Sequence, residues 1–184
     1  MNFWISLIGY QLVWFASVIG AGHGLVWPGV LGLMLYAAWQ LRDAASRRTD
    51  LKMMLAAVTL GCVLDGGLIR LGLARYAATG PLAALPPIWI LALWATFALT
   101  FTQSLRYLQT RLWPAFLLGA IGGPMAYLGA ARGWQVVSFA PPAWHALLWL
   151  AMGWGIATPL LAWLARRWSS GTSGNRLPWQ EHAS

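Results

Sequence analysis

Six apolar stretches account for most of the chain: residues 3–21, 25–41, 53–73, 88–108, 115–131 and 144–165. A helix needs roughly 20 apolar residues to cross ~30 Å of hydrocarbon at ~1.5 Å per residue. In hydrocarbon every backbone N–H and C=O must also be bonded within the chain. The pattern predicts an all-α polytopic membrane protein, a compact bundle of six transmembrane helices forming one domain over residues 1–168. Residues 169–184, rich in Gly, Ser and polar side chains, read as a flexible cytoplasmic tail. The second and fifth stretches are short, and a re-entrant segment at either place is the alternative.

Composition agrees with this. Of 184 residues only 9% are charged and 59% are hydrophobic, against ~25% charged in an ordinary soluble domain. Such a chain cannot cover a water-facing globule, which excludes an ordinary cytosolic enzyme, a disordered chain and a nucleic-acid-binding domain. The net charge of +8 would point a soluble protein toward nucleic acid, but here the basic residues cluster at the ends of the apolar stretches. On a six-span map Arg42, Arg47, Arg48, Lys52, Arg106, Arg111, Arg166, Arg167 and Arg176 fall on one side, and only Arg70, Arg75 and Arg132 on the other. The positive-inside rule then puts both termini in the cytoplasm. Trp27, Trp89, Trp134 and Trp144 lie at outer ends and Trp4, Trp39, Trp113 and Trp168 at inner ends, where indoles anchor helices at headgroup level. No basic segment precedes Phe3, so the first stretch reads as a retained span rather than a cleaved signal. The single Cys62 excludes an intramolecular disulfide.

Ionisable groups at membrane depth are costly, and each marks a candidate functional position. Asp65 stands 13 residues beyond Lys52, ~20 Å up by helix rise, with no basic residue at helical spacing beside it. The same count brings Gln11, Ser17, Thr96 and Tyr127 to comparable depth, with Trp14, Trp94 and Trp149 around them. Together they form a candidate ligand-binding layer. The plainer reading of Asp65 is a carboxyl that fixes helix packing through Tyr127 or Gln11. Arg70 and Arg132 either snorkel to outer headgroups or ring a cavity mouth and attract an anionic group. His23 and His145 have no neighbouring carboxylate or Cys, so no metal site is expected.

Gly119, Gly123, Ala126, Ala130 and Gly133 give the fifth stretch small-xxx-small spacing, which permits close helix approach. Within it Gly122, Gly123 and Pro124 form a candidate helix interruption that could open backbone carbonyls to a cavity; a tightly packed, kinked helix is the alternative. The chain carries no phosphate loop, HExxH motif, nucleophile elbow or paired carboxylates for magnesium. No cofactor and no catalytic residue is assigned.

Gln11-x-x-Trp14-Phe15 leading to Gly20, Asp65, Pro87-x-Trp89 with Trp94 and Phe97, Ser104-Leu105 and Gly122-Gly123-Pro124-x-x-Tyr127 together resemble an uncharacterised family of proteobacterial inner-membrane proteins, filed as a domain of unknown function. The resemblance covers nearly the whole chain up to the tail. It implies a bacterial inner-membrane location and a compact helical fold. It also implies a setting beside cyclopropane-fatty-acid-synthase-like methyltransferases and flavin oxidoreductases, hence envelope lipid modification under stress. The leading expectation is a protein that binds or presents a lipid-like or aromatic small molecule. Two alternatives are the substrate-binding subunit of an energy-coupling-factor vitamin transporter and a structural or assembly subunit; a stand-alone membrane enzyme comes last. The expected partners are membrane lipids, a hydrophobic or aromatic small molecule and membrane-enzyme or transporter chains, with no nucleic acid.

Overall fold

The computed structural model describes residues 3–80 and 85–173, with the helix path alone for 170–173. Its elements run α1 (Phe3–Gly22), α2 (Trp27–Gln40), α3 (Arg47–Arg70), β1 (Ala74–Tyr76), α4 (Ile88–Thr100), a 3₁₀ helix (Arg106–Thr110), α5 (Leu112–Trp134), β2 (Val137–Phe139) and α6 (Trp144–Ser173). The protein is all-helical apart from the two short strands. Four of its helices, α1, α3, α5 and the Trp144–Ser169 part of α6, are long and apolar enough to cross a membrane. The outer surface is that of a chain facing hydrocarbon: Leu55, Val63, Ile121 and Ile156 are more than half exposed, whereas a water-soluble domain turns such side chains inward. The core is built from Trp89, Trp94, Phe101, Leu150 and Leu161. The expected tail runs as helix through Ser173, and residues 174–184 lie outside the described residues.

The bounds of α3, α4 and α5 differ from the apolar count for physical reasons. α4 stops at Thr100 after 13 residues instead of running to 108. A hydroxyl series begins there, and Ser and Thr side chains compete for backbone carbonyls. Thr100 Oγ1 donates to Phe97 O at 2.6 Å, and Thr102 Oγ1 is turned toward Asp50. α5 runs 23 residues, well beyond the 115–131 stretch, so it needs no re-entrant path; Arg132 breaks the hydropathy but not the helix. α3 starts at Arg47, six residues before its apolar run, since charged residues extend a helix readily.

The early start of α3 places Asp50 in a polar clamp that sequence reading passed over. Asp50 is fully buried. Its Oδ1 accepts from Thr102 Oγ1 at 2.7 Å and Gln40 Nε2 at 3.3 Å, and its Oδ2 from Ser46 Oγ at 2.8 Å. Gln40 also donates to Leu99 O at 2.8 Å. The clamp thus ties the ends of α2, α3 and α4 together. Thr102→Val should lower the thermal midpoint in detergent by the equivalent of ~1 kcal/mol, because it removes the shorter of the two hydrogen bonds to a buried carboxyl oxygen and leaves only Gln40 at 3.3 Å; an unchanged midpoint would contradict the clamp.

α5 and α6 form the most extensive helix pair, and α4 packs against α1, α2 and α3. Gly119 and Gly123 make the α5–α6 approach: a Cβ at Gly119 would overlap the Trp154 carbonyl oxygen, and one at Gly123 would lie 2.5 Å from Trp154 Cγ. The Gly119 and Gly123 part of the small-residue face is therefore used inside the chain, and α5 stays helical through Gly122, Gly123 and Pro124. Gly123 acts here by close packing, Gly122 meets only its own helix, and neither interrupts it. At one end of the bundle β1 and β2 pair antiparallel, with Ala74 opposite Phe139, Arg75 opposite Ser138 and Tyr76 opposite Val137. Gly72, at φ +66°, turns the chain out of α3 toward β1.

Candidate functional site

Asp65 lies four residues after Gly61 on α3, so both face the same neighbour, α4. The absent side chain at Gly61 lets the Trp94 indole press onto the α3 backbone; a Cβ there would fall 2.5 Å from Trp94 Cδ1. Trp94 Nε1 consequently reaches Asp65 Oδ2 at 2.7 Å. The other oxygen, Oδ1, accepts from Tyr127 Oη of α5 at 2.5 Å and from Tyr76 Oη of β1 at 2.6 Å. Asp65 is fully buried, and these three partners are neutral donors. The three bonds are short, and the carboxyl joins α3, α4, α5 and the strand pair at one point.

Trp94 and Tyr127 have a second surface. Both line a cavity of about 440 Å³ enclosed by α1, α4, α5 and α6. The α5 wall runs from Leu118 to Ala130, ~18 Å at helix rise, so the cavity is elongated along the bundle. Trp89 and Val137 lie toward the strand-pair end, and Ser104 and Leu105 toward the other. Its rim includes exposed Gln11 on α1 and exposed Met125 and Gly129 on α5. α1 and α5 touch only slightly, and the cavity opens sideways between them. Aromatic rings dominate its interior. Trp94 stacks on Trp154 with centroids 4.0 Å apart and planes 12° from parallel, and Phe97 meets Trp154 edge-on at 5.2 Å. Trp14 stands at the wall with its ring edge-on to Trp134 at 5.7 Å.

Of the expected layer, Asp65, Tyr127 and Trp94 come together, and Gln11 and Trp14 line the adjoining cavity. Trp149 sits one residue off the centre: its Nε1 donates to Leu64 O at 3.0 Å and its ring lies over Gly67. Ser17 and Thr96 do not join them. Each hydroxyl bonds the carbonyl four residues back in its own helix, Val13 O at 2.8 Å and Ala92 O at 2.7 Å. Arg70 and Arg132 are exposed in the last turns of α3 and α5, where a cation complements the helix dipole; neither is a hydrogen-bond partner of Asp65. Tyr76 was missed altogether. Its only trace in sequence is the short apolar alternation around Arg75, which carries no sign of a strand pairing some 60 residues away.

No curated protein and no solved structure matches the chain. Residues 3–160, which hold Asp65, its three donors and every helix wall of the cavity, match the family described as Protein of unknown function (DUF2878), and the chain belongs to that family.

Proposed function

We propose that this is a six-span protein of the bacterial inner membrane, both termini cytoplasmic, that binds or presents a lipid-like or aromatic small molecule in the lateral cavity and serves envelope lipid modification. The observation that carries the reading is the cavity itself: about 440 Å³, aromatic-walled and open between α1 and α5. Ligand pockets are typically apolar clefts of ~300–1,000 Å³ with a few placed polar groups. At membrane depth a sideways opening admits an apolar molecule from the bilayer without passage through water. The uneven distribution of Arg and Lys supports the orientation, and the shorter α2 and α4 span with help from the loops that extend them.

Gly122 provides the test. A Cβ there meets only Leu118 Cδ1 of its own helix, at 3.8 Å, and Leu favours a helix over Gly. Gly122→Leu therefore fills the cavity without forcing helices apart. Protein released from its own membrane in mild detergent should carry a small apolar molecule in native mass spectrometry. Gly122→Leu should lose about tenfold of that occupancy at a thermal midpoint no lower than wild type. Equal loading of the two proteins, or an empty wild type, would defeat the proposal.

A further inference from the structure

Most polar side chains on the cavity wall are already engaged. Trp89 Nε1 donates to Ala77 O, Thr100 Oγ1 to Phe97 O, and Trp94 and Tyr127 to Asp65. Ser104 Oγ pairs with Ser6 Oγ, and Trp154 Nε1 and Thr158 Oγ1 are sealed from open space. Three lining residues of α1 differ. Tyr10 Oη, the Gln11 amide and Trp14 Nε1 have no hydrogen-bond partner among the described residues. Gln11 is exposed at the rim, and the Tyr10 and Trp14 polar atoms are not among the sealed ones. Spacings of three and four residues put Tyr10 and Gln11 each one turn from Trp14. Around Gln11 the side chains of Ile8, Leu12 and Phe15 are exposed, while Leu7 and Trp14 line the cavity. The amide therefore stands where the outward apolar stripe meets the cavity opening, near the middle of α1. Water does not serve such a group at membrane depth, and an amide in hydrocarbon without a hydrogen bond is costly.

Resting on the cavity reading above, we infer that the bound molecule carries a neutral hydroxyl group part-way along an otherwise apolar body, recognised at the cavity opening by Gln11, Tyr10 and Trp14. The Trp14 N–H can only donate, the Gln11 amide offers both a donor and an acceptor, and the Tyr10 hydroxyl serves as either. A hydroxyl answers both kinds: its oxygen accepts from an N–H and its hydrogen goes to Gln11 Oε1. A ketone carbonyl only accepts and leaves Gln11 Oε1 unmet, and a plain hydrocarbon meets none of them. No Lys, Arg or His lines the cavity among the described residues, so nothing there compensates an ionised carboxylate or phosphate, which hydrocarbon surroundings penalise heavily. The position of the group follows from the wall. Leu7 lies about one turn before Gln11 and Val18 about two turns beyond it, so apolar surface continues on both sides of the polar cluster.

The test uses the full chain in mild detergent with three probes of equal chain length, diheptylcarbinol, diheptyl ketone and n-pentadecane, at equal concentration in native mass spectrometry. Wild type should hold the carbinol about tenfold better than the alkane, equivalent to ~1.4 kcal/mol, with the ketone between them. Gln11→Leu should remove the advantage of carbinol over ketone. Adding Tyr10→Phe and Trp14→Phe should bring all three probes to parity while each still binds. Gln11→Leu breaks no hydrogen bond among the described residues, so its thermal midpoint should hold. Equal binding of carbinol and alkane by wild type overturns the hydroxyl inference and leaves the cavity reading standing. Failure of wild type to bind any probe overturns both. A ketone held as well as the carbinol, or a carbinol preference that survives the triple variant, overturns this assignment. So does a wild-type dimer that Gln11→Leu splits into monomers, which would give the amide to a second copy of the chain.

Discussion

Gly119→Ala should unfold the bundle at a far lower temperature than wild type, a loss of about 3 kcal/mol or more from a single methyl group. The new Cβ would meet backbone, the carbonyl oxygen and carbon of Trp154, as well as the Thr158 hydroxyl. Backbone cannot rotate aside, so α5 and α6 must separate along their whole contact, with Phe116 and Gly155 pulled apart as well. Three other glycines on α5 make internal controls. Gly123→Ala would press on the Trp154 ring, which can shift, and should be damaging but milder. At Gly122 and Gly129 a Cβ meets at most its own helix; alanine there should be neutral or stabilise by ~0.5–1 kcal/mol through helix propensity. Thermal unfolding of the four variants in one detergent gives the ranking. A Gly119→Ala protein that melts with wild type would refute the α5–α6 packing.

The second large effect is expected at Asp65. Asp65→Ala leaves Tyr76, Tyr127 and Trp94 with donors aimed at an apolar void, and should cost ~3–5 kcal/mol by the precedent of buried networks stripped of one partner. Asp65→Asn should be intermediate. Its oxygen can still accept from the two phenols, while its NH₂ would face the Trp94 N–H, donor against donor. Tyr76→Phe removes one bond of the three and should cost least, ~1–2 kcal/mol. The three midpoints in that order, with near-ultraviolet circular dichroism reporting the loosened Trp94–Trp154 stack, would support the network; equal midpoints for Asn and Ala would mean that the phenol bonds contribute nothing.

Depth proved legible in this chain, and rotation did not. Helix rise alone put Asp65, Tyr127 and Trp94 at one level, and they meet. The same count put Ser17 and Thr96 there, and it says nothing about which way round the helix a hydroxyl points; both satisfy themselves on their own backbone. Hydropathy found every α-helix but misjudged several ends and missed the 3₁₀ helix, because it measures transfer to hydrocarbon and not helicity. It carried α4 past the hydroxyl cluster that stops it and started α3 after the charged turn that belongs to it. Asp50 was overlooked for the same reason: beside Arg47, Arg48 and Lys52 it reads as a solvated charge, yet it is sealed between three helix ends. The strand pair left no local trace, since three residues on each side are too few to carry a period.

The wiring of Asp65 also bears on how such a chain is made. Its donors lie 11, 29 and 62 residues further along, so each leaves the ribosome after the carboxyl does. At ~5–20 residues per second of synthesis, the last of them trails by ~3–12 s. During that interval α3 holds a carboxyl with its acceptor sites only partly met, while Gly61 presents a bare notch that Trp94 has yet to fill. The helix is thus least suited to hydrocarbon when it is newest. Only when α5 arrives does the carboxyl gain its full set of partners and the circuit close.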